Sequence, residues 1–200
     1  GLSSITVSSL IKISEGNGYQ INAQIGLEKF IGDNDETGKV LTPMNMAKEM
    51  VLPYSMQVSD ESTSLVAGLN ISKNTENWSY GGQITFKNKI DDKEWSYGNG
   101  FTLNGWAGKN LSDSIWGSIR LSYADIDSID GRDMRIMAPV QTANPKNYGG
   151  SNYKLSFGLN KRLSNGDNLD FELSIPFEQK LNGPQMEEDL TLTLGYKKGF

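Results

Sequence analysis

Apolar residues return at every second position through most of this chain, and that period of two is what most limits its fold. Successive side chains of an extended strand point to opposite faces, so alternation writes a sheet with one apolar and one polar face. Helices need spacings of three and four instead. The clearest rows are Tyr153, Leu155, Phe157 and Leu159; Leu169, Phe171, Leu173, Ile175 and Phe177; and Leu190, Leu192, Leu194 and Tyr196. Less regular rows run through Ile5 to Ile13, Tyr19 to Leu27, Leu65 to Ile71, Trp78 to Phe86, Trp95 to Leu103 and Ile115 to Tyr123. The pattern predicts an all-β, antiparallel chain of about nine strands.

The connections differ in length from one end to the other. SEGNG, KNTEN, NLSDS and SNGD are tight, whereas residues 31–61 and 125–151 make two long segments. Short turns at one end and long loops at the other are the habit of outer-membrane barrels. DDKE, before Trp95, is a short turn on the long-loop side. With the last strand ending at the short-turn side, nine strands leave an odd number to be supplied before residue 1. The expectation is a transmembrane antiparallel β-barrel domain spanning 1–200, without its N-terminal strands and with about twelve in the complete protein. A soluble antiparallel sandwich has the same periodicity and is the competing architecture.

Composition narrows the chemistry. Hydrophobic residues make up 36% of the 200, and no apolar run approaches the 18 needed for a membrane helix. There is no cysteine and no histidine, which excludes thiolate nucleophiles, zinc–thiolate and iron–sulfur sites, and any Ser/His/Asp triad. A net charge of -5 without clustered Lys and Arg argues against nucleic acid as a partner. The opening GLSSITVSSLIKI lacks the pattern of a secretion signal, so such a signal is expected in the precursor.

On the barrel reading the apolar rows face lipid, and the rings of Trp78, Tyr80, Trp95, Tyr97, Tyr123, Tyr153, Tyr196 and Phe200 lie near strand ends as interfacial girdles. The opposite face carries Glu28, Lys87, Arg120, Lys154, Arg162, Asp170 and Glu172, which would line the lumen. Whether they line a solvated pore or brace a closed interior as ion pairs is open. Tyr196 and Phe200 in the terminal DLTLTLGYKKGF resemble the signal read by the outer-membrane assembly machinery. Met44, Met46, Met50 and Met56, with Met134 and Met137, suit either soft-metal binding or loop packing, and packing is the simpler account. The acidic stretches DNDETG and DIDSIDGRD read as solvated loop tips before calcium sites. Asp170 and Glu172, two residues apart on one strand, are the pair best placed for hydrolysis, although a charge pair explains them more simply. No catalytic residue, metal or cofactor is expected.

Four segments carry a resemblance. LPYSMQV (52–58), DIDSIDGRD (125–133), MAPVQTANPKNYGG (137–150) and LNGPQMEEDLTLTLGYKKGF (181–200) together resemble the phenol meta-pathway degradation-like (MetA-pathway) family of outer-membrane transporters. The resemblance implies a secreted barrel of about twelve strands in the cell outer membrane of a Gram-negative bacterium. Its partners would be outer-membrane lipids, lipopolysaccharide and the barrel assembly machinery. The chain departs from the family's terminal Gly-Trp-x-x-x-Phe pattern, with Tyr196 in place of Trp and two lysines before Phe200.

The leading functional expectation is a porin-like channel for passive passage of small solutes, hydrophobic or aromatic ones among them. Loops 32–61 and 125–151 would narrow its mouth. The alternatives are a non-conducting barrel acting as a binding or structural scaffold, and an outer-membrane hydrolase.

Overall fold

The computed structural model describes residues 2–42 and 44–199. Nine long strands form one antiparallel sheet: β1 (Ser4–Gly16), β2 (Tyr19–Phe30), β5 (Thr63–Asn74), β6 (Trp78–Lys89), β8 (Gly100–Ser112), β9 (Ile115–Ile126), β11 (Gly150–Arg162), β12 (Asn168–Leu181) and β13 (Thr191–Lys197). Four short strands lie in the connections: β3 (Thr37–Leu41) with β4 (Ala47–Val51), and β7 (Trp95–Ser96) with β10 (Asp130–Gly131). Three single-turn 3-10 helices, Tyr54–Met56, Gln141–Ala143 and Pro145–Asn147, complete the loops.

The strands form where the alternation is strongest, and the register matches apolar with apolar across the sheet. Leu27 lies opposite Leu65, Leu69 opposite Ile84, Ile84 opposite Leu103, Leu121 opposite Leu155, Phe157 opposite Leu173 and Phe171 opposite Leu194. A one-residue slip in any strand would move its whole row to the other face, so this matching fixes the register. Bulges interrupt the ladder at Ile13 in β1, Leu111 in β8 and Phe177 in β12, the last of them inside a strictly alternating row. At the short-turn end, Asn17 and Gly18 have φ of 50° and 79° and close the β1–β2 hairpin in two residues.

The sheet does not close. Its order is β1-β2-β5-β6-β8-β9-β11-β12-β13, and no ladder joins β1 to β13 among the described residues. A barrel requires its two end strands to bond to each other. The expected transmembrane barrel is therefore corrected to an open all-β sheet, and the total of about twelve strands, which rested on closure, goes with it. The outer-membrane location and the lipid, lipopolysaccharide and assembly-machinery partners were inferred from that barrel and are withdrawn on the same finding.

The fifth long strand begins at Gly100, not at Trp95. Trp95 and Ser96 pair instead with Gly131 and Asp130, which draws them out of the sheet and beneath the loops. DDKE is thus part of a connection running from 90 to 99, on the same side as the long segments. That side contains the molecule's true apolar core: Tyr54, Trp95, Ile129 and Ile136 are buried together, with Val51, Tyr97, Ala143 and Tyr148 against them. The rings meet edge to face, Tyr54 with Trp95 at 4.9 Å and Trp95 with Tyr97 at 5.3 Å.

Polar groups fix the loops around this core. Asp60 accepts from the backbone N–H of Tyr97 (2.7 Å) and of Ser62 (2.9 Å), while the Tyr97 hydroxyl donates to the Tyr54 carbonyl (3.0 Å). The expected loop packing by methionines is not observed for Met44, Met46, Met56, Met134 and Met137, which are exposed.

The two faces of the sheet are exposed in the opposite sense to a soluble sandwich. Leu121 on the apolar face is 52% exposed and Leu194 73%, whereas Ser156 on the polar face is only 4% exposed. The polar face is the sheltered one.

Candidate binding site on the polar face

The register puts all seven polar-face candidates on one side of the sheet. Arg120 faces Trp106 and Ser156, Lys87 faces Val66, Glu172 faces Gly158, Asp170 faces Asn160, and Lys154 faces Ser122. Glu28 faces Ser64 and Arg162 faces Asn168 on that same side. They fall into two groups, Glu28 with Lys87 and Arg120 with Asp170 and Glu172, while Lys154 and Arg162 stand apart from both. Glu28 binds Lys87 at 2.6 Å across β5 and also accepts from Ser4 (3.1 Å), while the Lys87 ammonium lies 4.5 Å from the centre of the Phe30 ring. Lys154 pairs with Glu188 at 2.5 Å. Arg162 is exposed at the short-turn end of β11.

Arg120, Asp170 and Glu172 are the members brought into one place. The Arg120 Nη2 donates to Glu172 at 2.7 Å, reaching from β9 to β12 over β11. It can do so because small residues, Ser156 and Gly158, occupy the intervening strand. Asp170 accepts from the Asn160 amide at 2.5 Å and pairs with Lys197 at 3.2 Å. The Asn160 hydrogen bond, seconded by Lys197, holds the Asp170 carboxyl below its ordinary range in spite of burial.

Two tryptophans complete the site, and the apolar rows gave no hint of them. Trp106 lies directly opposite Arg120 on β8, and Trp116 stands four residues before Arg120 on the same face of β9. Both indoles are half-buried. Glycines make room for them: a Cβ on Gly81 would come within 2.7 Å of the Trp106 ring, and one on Gly108 within 2.5 Å of the Trp116 ring. The signal was one of phase. Both tryptophans occupy even positions, out of step with the apolar Phe101, Leu103, Ile115 and Ile119 of their own strands.

Around these groups lies a hollow of about 430 Å³, lined by Trp116, Arg120, Asn160, Asp170, Glu172 and Lys197 among others. A second, of about 280 Å³, shares Arg120 and is walled by Gln83, Asn104 and Trp106. Both sizes are near those of small-ligand sites, about 300–1,000 Å³. A larger hollow of about 700 Å³ opens at the loop-side rim around Ser96, where most of the charged groups have local partners. Lys89 binds Asp130 at 2.9 Å and Lys180 binds Glu178 at 2.8 Å, and the Tyr123 hydroxyl donates to Asp125 at 2.8 Å. It has no aromatic platform comparable to the tryptophan pair.

No family model matches this chain. No curated protein matches it either. The resemblance to the meta-pathway transporter family is accordingly corrected, since neither comparison supports it and the open sheet lacks the barrel it implies. The porin-like channel falls for the same physical reason: a sheet with two separate edges encloses no pore. The scaffold and hydrolase alternatives lose the outer-membrane barrel in which they were framed. Of the two expected terminal aromatics, Tyr196 is exposed and donates its hydroxyl to Asp167 at 2.5 Å, while Phe200 lies outside the described residues.

Proposed function

We propose that this chain is a non-catalytic binding module, holding small polar organic molecules against the polar face of its sheet between Trp106 and Trp116. The observation that supports this reading is the pair of half-exposed indoles, seated on Gly81 and Gly108, flanking the Arg120–Glu172 ion pair on an otherwise polar surface. Aromatic faces with a few fixed polar groups are the usual composition of small-molecule sites, because the ring supplies contact area and the polar groups fix orientation. A non-catalytic role is favoured by the state of the carboxylates. Asp170 is held below its ordinary range by the Asn160 amide and Lys197, which does not suit it as a proton donor near neutral pH.

The test is titration of the protein with a panel of neutral polyols, amino acids and small carboxylates, followed through the indole N–H resonances of Trp106 and Trp116. Saturable shifts of these two resonances, with Trp78 on the opposite face unmoved, are expected. A panel that leaves both indoles unmoved refutes the reading.

A further inference from the structure

We infer that the molecule held there is a neutral saccharide, with pyranose rings stacked on Trp116 and Trp106 and hydroxyls bonded to the planar polar groups between them. This rests on the binding reading above and narrows it to one chemical class.

Charge comes first. Arg120 is matched by Glu172 and Lys197 by Asp170, at 2.7 and 3.2 Å. An anionic ligand would need to take a cation from one of these pairs and leave a carboxylate behind unpaired, and a cationic ligand would do the reverse. The carboxylates are the sheltered members, 26% and 34% exposed against 46% and 74% for Arg120 and Lys197, so the cost falls chiefly on a carboxylate left unpaired by an anion. A neutral ligand disturbs neither pair.

Hydrogen-bonding capacity comes next. Gln83, Asn104 and Asn160 each offer both a donor and an acceptor, the Arg120 guanidinium donates, and the oxygens of Asp170 and Glu172 accept. A ligand that satisfies so dense and so mixed a set must itself donate and accept at closely spaced points. Hydroxyl groups do both, and a sugar ring carries several. A flat apolar ligand would cover these groups and leave them unsatisfied, at about 1–3 kcal/mol for each one.

Shape then selects the ring. The axial C–H edges of a pyranose form an apolar face that suits the electron-rich face of an indole, while its equatorial hydroxyls point sideways to polar neighbours. Trp116 and Arg120 are four residues apart along β9, about 13 Å at the strand rise, and Trp106 lies across from Arg120. That separation is longer than one sugar ring, which favours an oligosaccharide over a monosaccharide.

The test is isothermal titration of the whole chain with maltotriose, cellotriose and chitotriose, alongside benzoate and arginine as charged controls, with indole N–H shifts recorded in parallel. At least one trisaccharide is expected to bind saturably and move both indole resonances. Trp116→Ala should weaken that binding tenfold or more and Glu172→Gln several-fold, with Trp78→Ala on the apolar face leaving it unchanged. If Trp116→Ala fails to fold, the indole shifts of the unaltered protein still decide the matter. Benzoate or arginine moving the indoles while no trisaccharide does overturns the saccharide assignment and leaves the binding face standing. No shift with any of the five overturns both.

Discussion

Tyr54 illustrates how single residues hold the loop side together. Its ring is fully buried between Trp95 and Tyr148, its hydroxyl accepts from the backbone N–H of Asp133 at 3.0 Å, and its carbonyl accepts from Tyr97. Tyr54→Phe keeps the packing and strands one buried N–H, so it should cost ~1–3 kcal/mol in a urea unfolding experiment. Tyr54→Ala also removes the ring and should cost ~3–5 kcal/mol. Equal losses in the two variants would contradict this division between packing and hydrogen bonding. Tyr97 adds a dependence on alkali. Burial, with the Asp60 carboxylate beside it, pushes its phenol up to about 12, whereas an unfolded tyrosine ionises near ~10. The folded chain therefore keeps this proton over a range where the unfolded chain has lost it. The contribution is complete below about pH 10 and is lost as the pH rises toward about 12, roughly 2 kcal/mol over the interval after allowance for partial exposure. Urea midpoints measured at pH 9, 10.5 and 12 should fall across that range, and Tyr97→Phe should flatten the fall.

At the level of elements, the sheet was legible wherever apolar residues kept strict step, and the matched rows of β11, β12 and β13 are the plainest case. Trp95 and Tyr97 were misplaced because alternation reports only that side chains point to opposite sides, not which strand supplies the partner. They are in step with Phe101 and Leu103, yet they pair and pack with the loops. The binding patch was half legible. Arg120, Asp170 and Glu172 shared a face by parity, but which of them would meet depends on long-range register, and Arg120 reaches Glu172 only because β11 is narrow at Gly158. The turns have their own sequence logic. Gly18 has φ of 79°, and a Cβ there would come within 2.5 Å of the Asn74 carbonyl oxygen. Gly18→Ala should therefore destabilise by ~1–3 kcal/mol through backbone strain and that clash, read as a lowered urea midpoint. Gly16 meets nothing within 4 Å of such a Cβ, so Gly16→Ala is the control and should shift the midpoint by less than ~0.5 kcal/mol.

For the whole molecule, closure could not be read from the alternation, since an open sheet, a sandwich and a barrel all write the same period of two. What separates them is whether the last strand bonds to the first, and β13 bonds to β12 alone among the described strands. The consequence is a broad apolar face. Nine strands at about 4.8 Å and twelve residues at about 3.3 Å give a surface of about 1,700 Å². Single soluble chains seldom expose apolar patches beyond ~300–600 Å². A face of this extent drives association in water, and the isolated chain should sediment as a species larger than a monomer. Leu69 and Leu121 are near the middle of it, in register with apolar neighbours on adjacent strands and about half exposed. Replacing both by lysine places two charges on the patch and removes the apolar area that two leucines contribute, ~1.5–3 kcal/mol each when fully covered. The Leu69→Lys, Leu121→Lys variant should shift the sedimentation profile toward monomer by more than tenfold in the association constant. Its folding stability should change little, by about 1 kcal/mol or less, because each side chain gives up only cross-strand contacts. An unaltered profile would mean that association runs through the β1 and β13 edges, where backbone groups bond regardless of the side chains that face away, and the lysines would then belong on those edge strands instead.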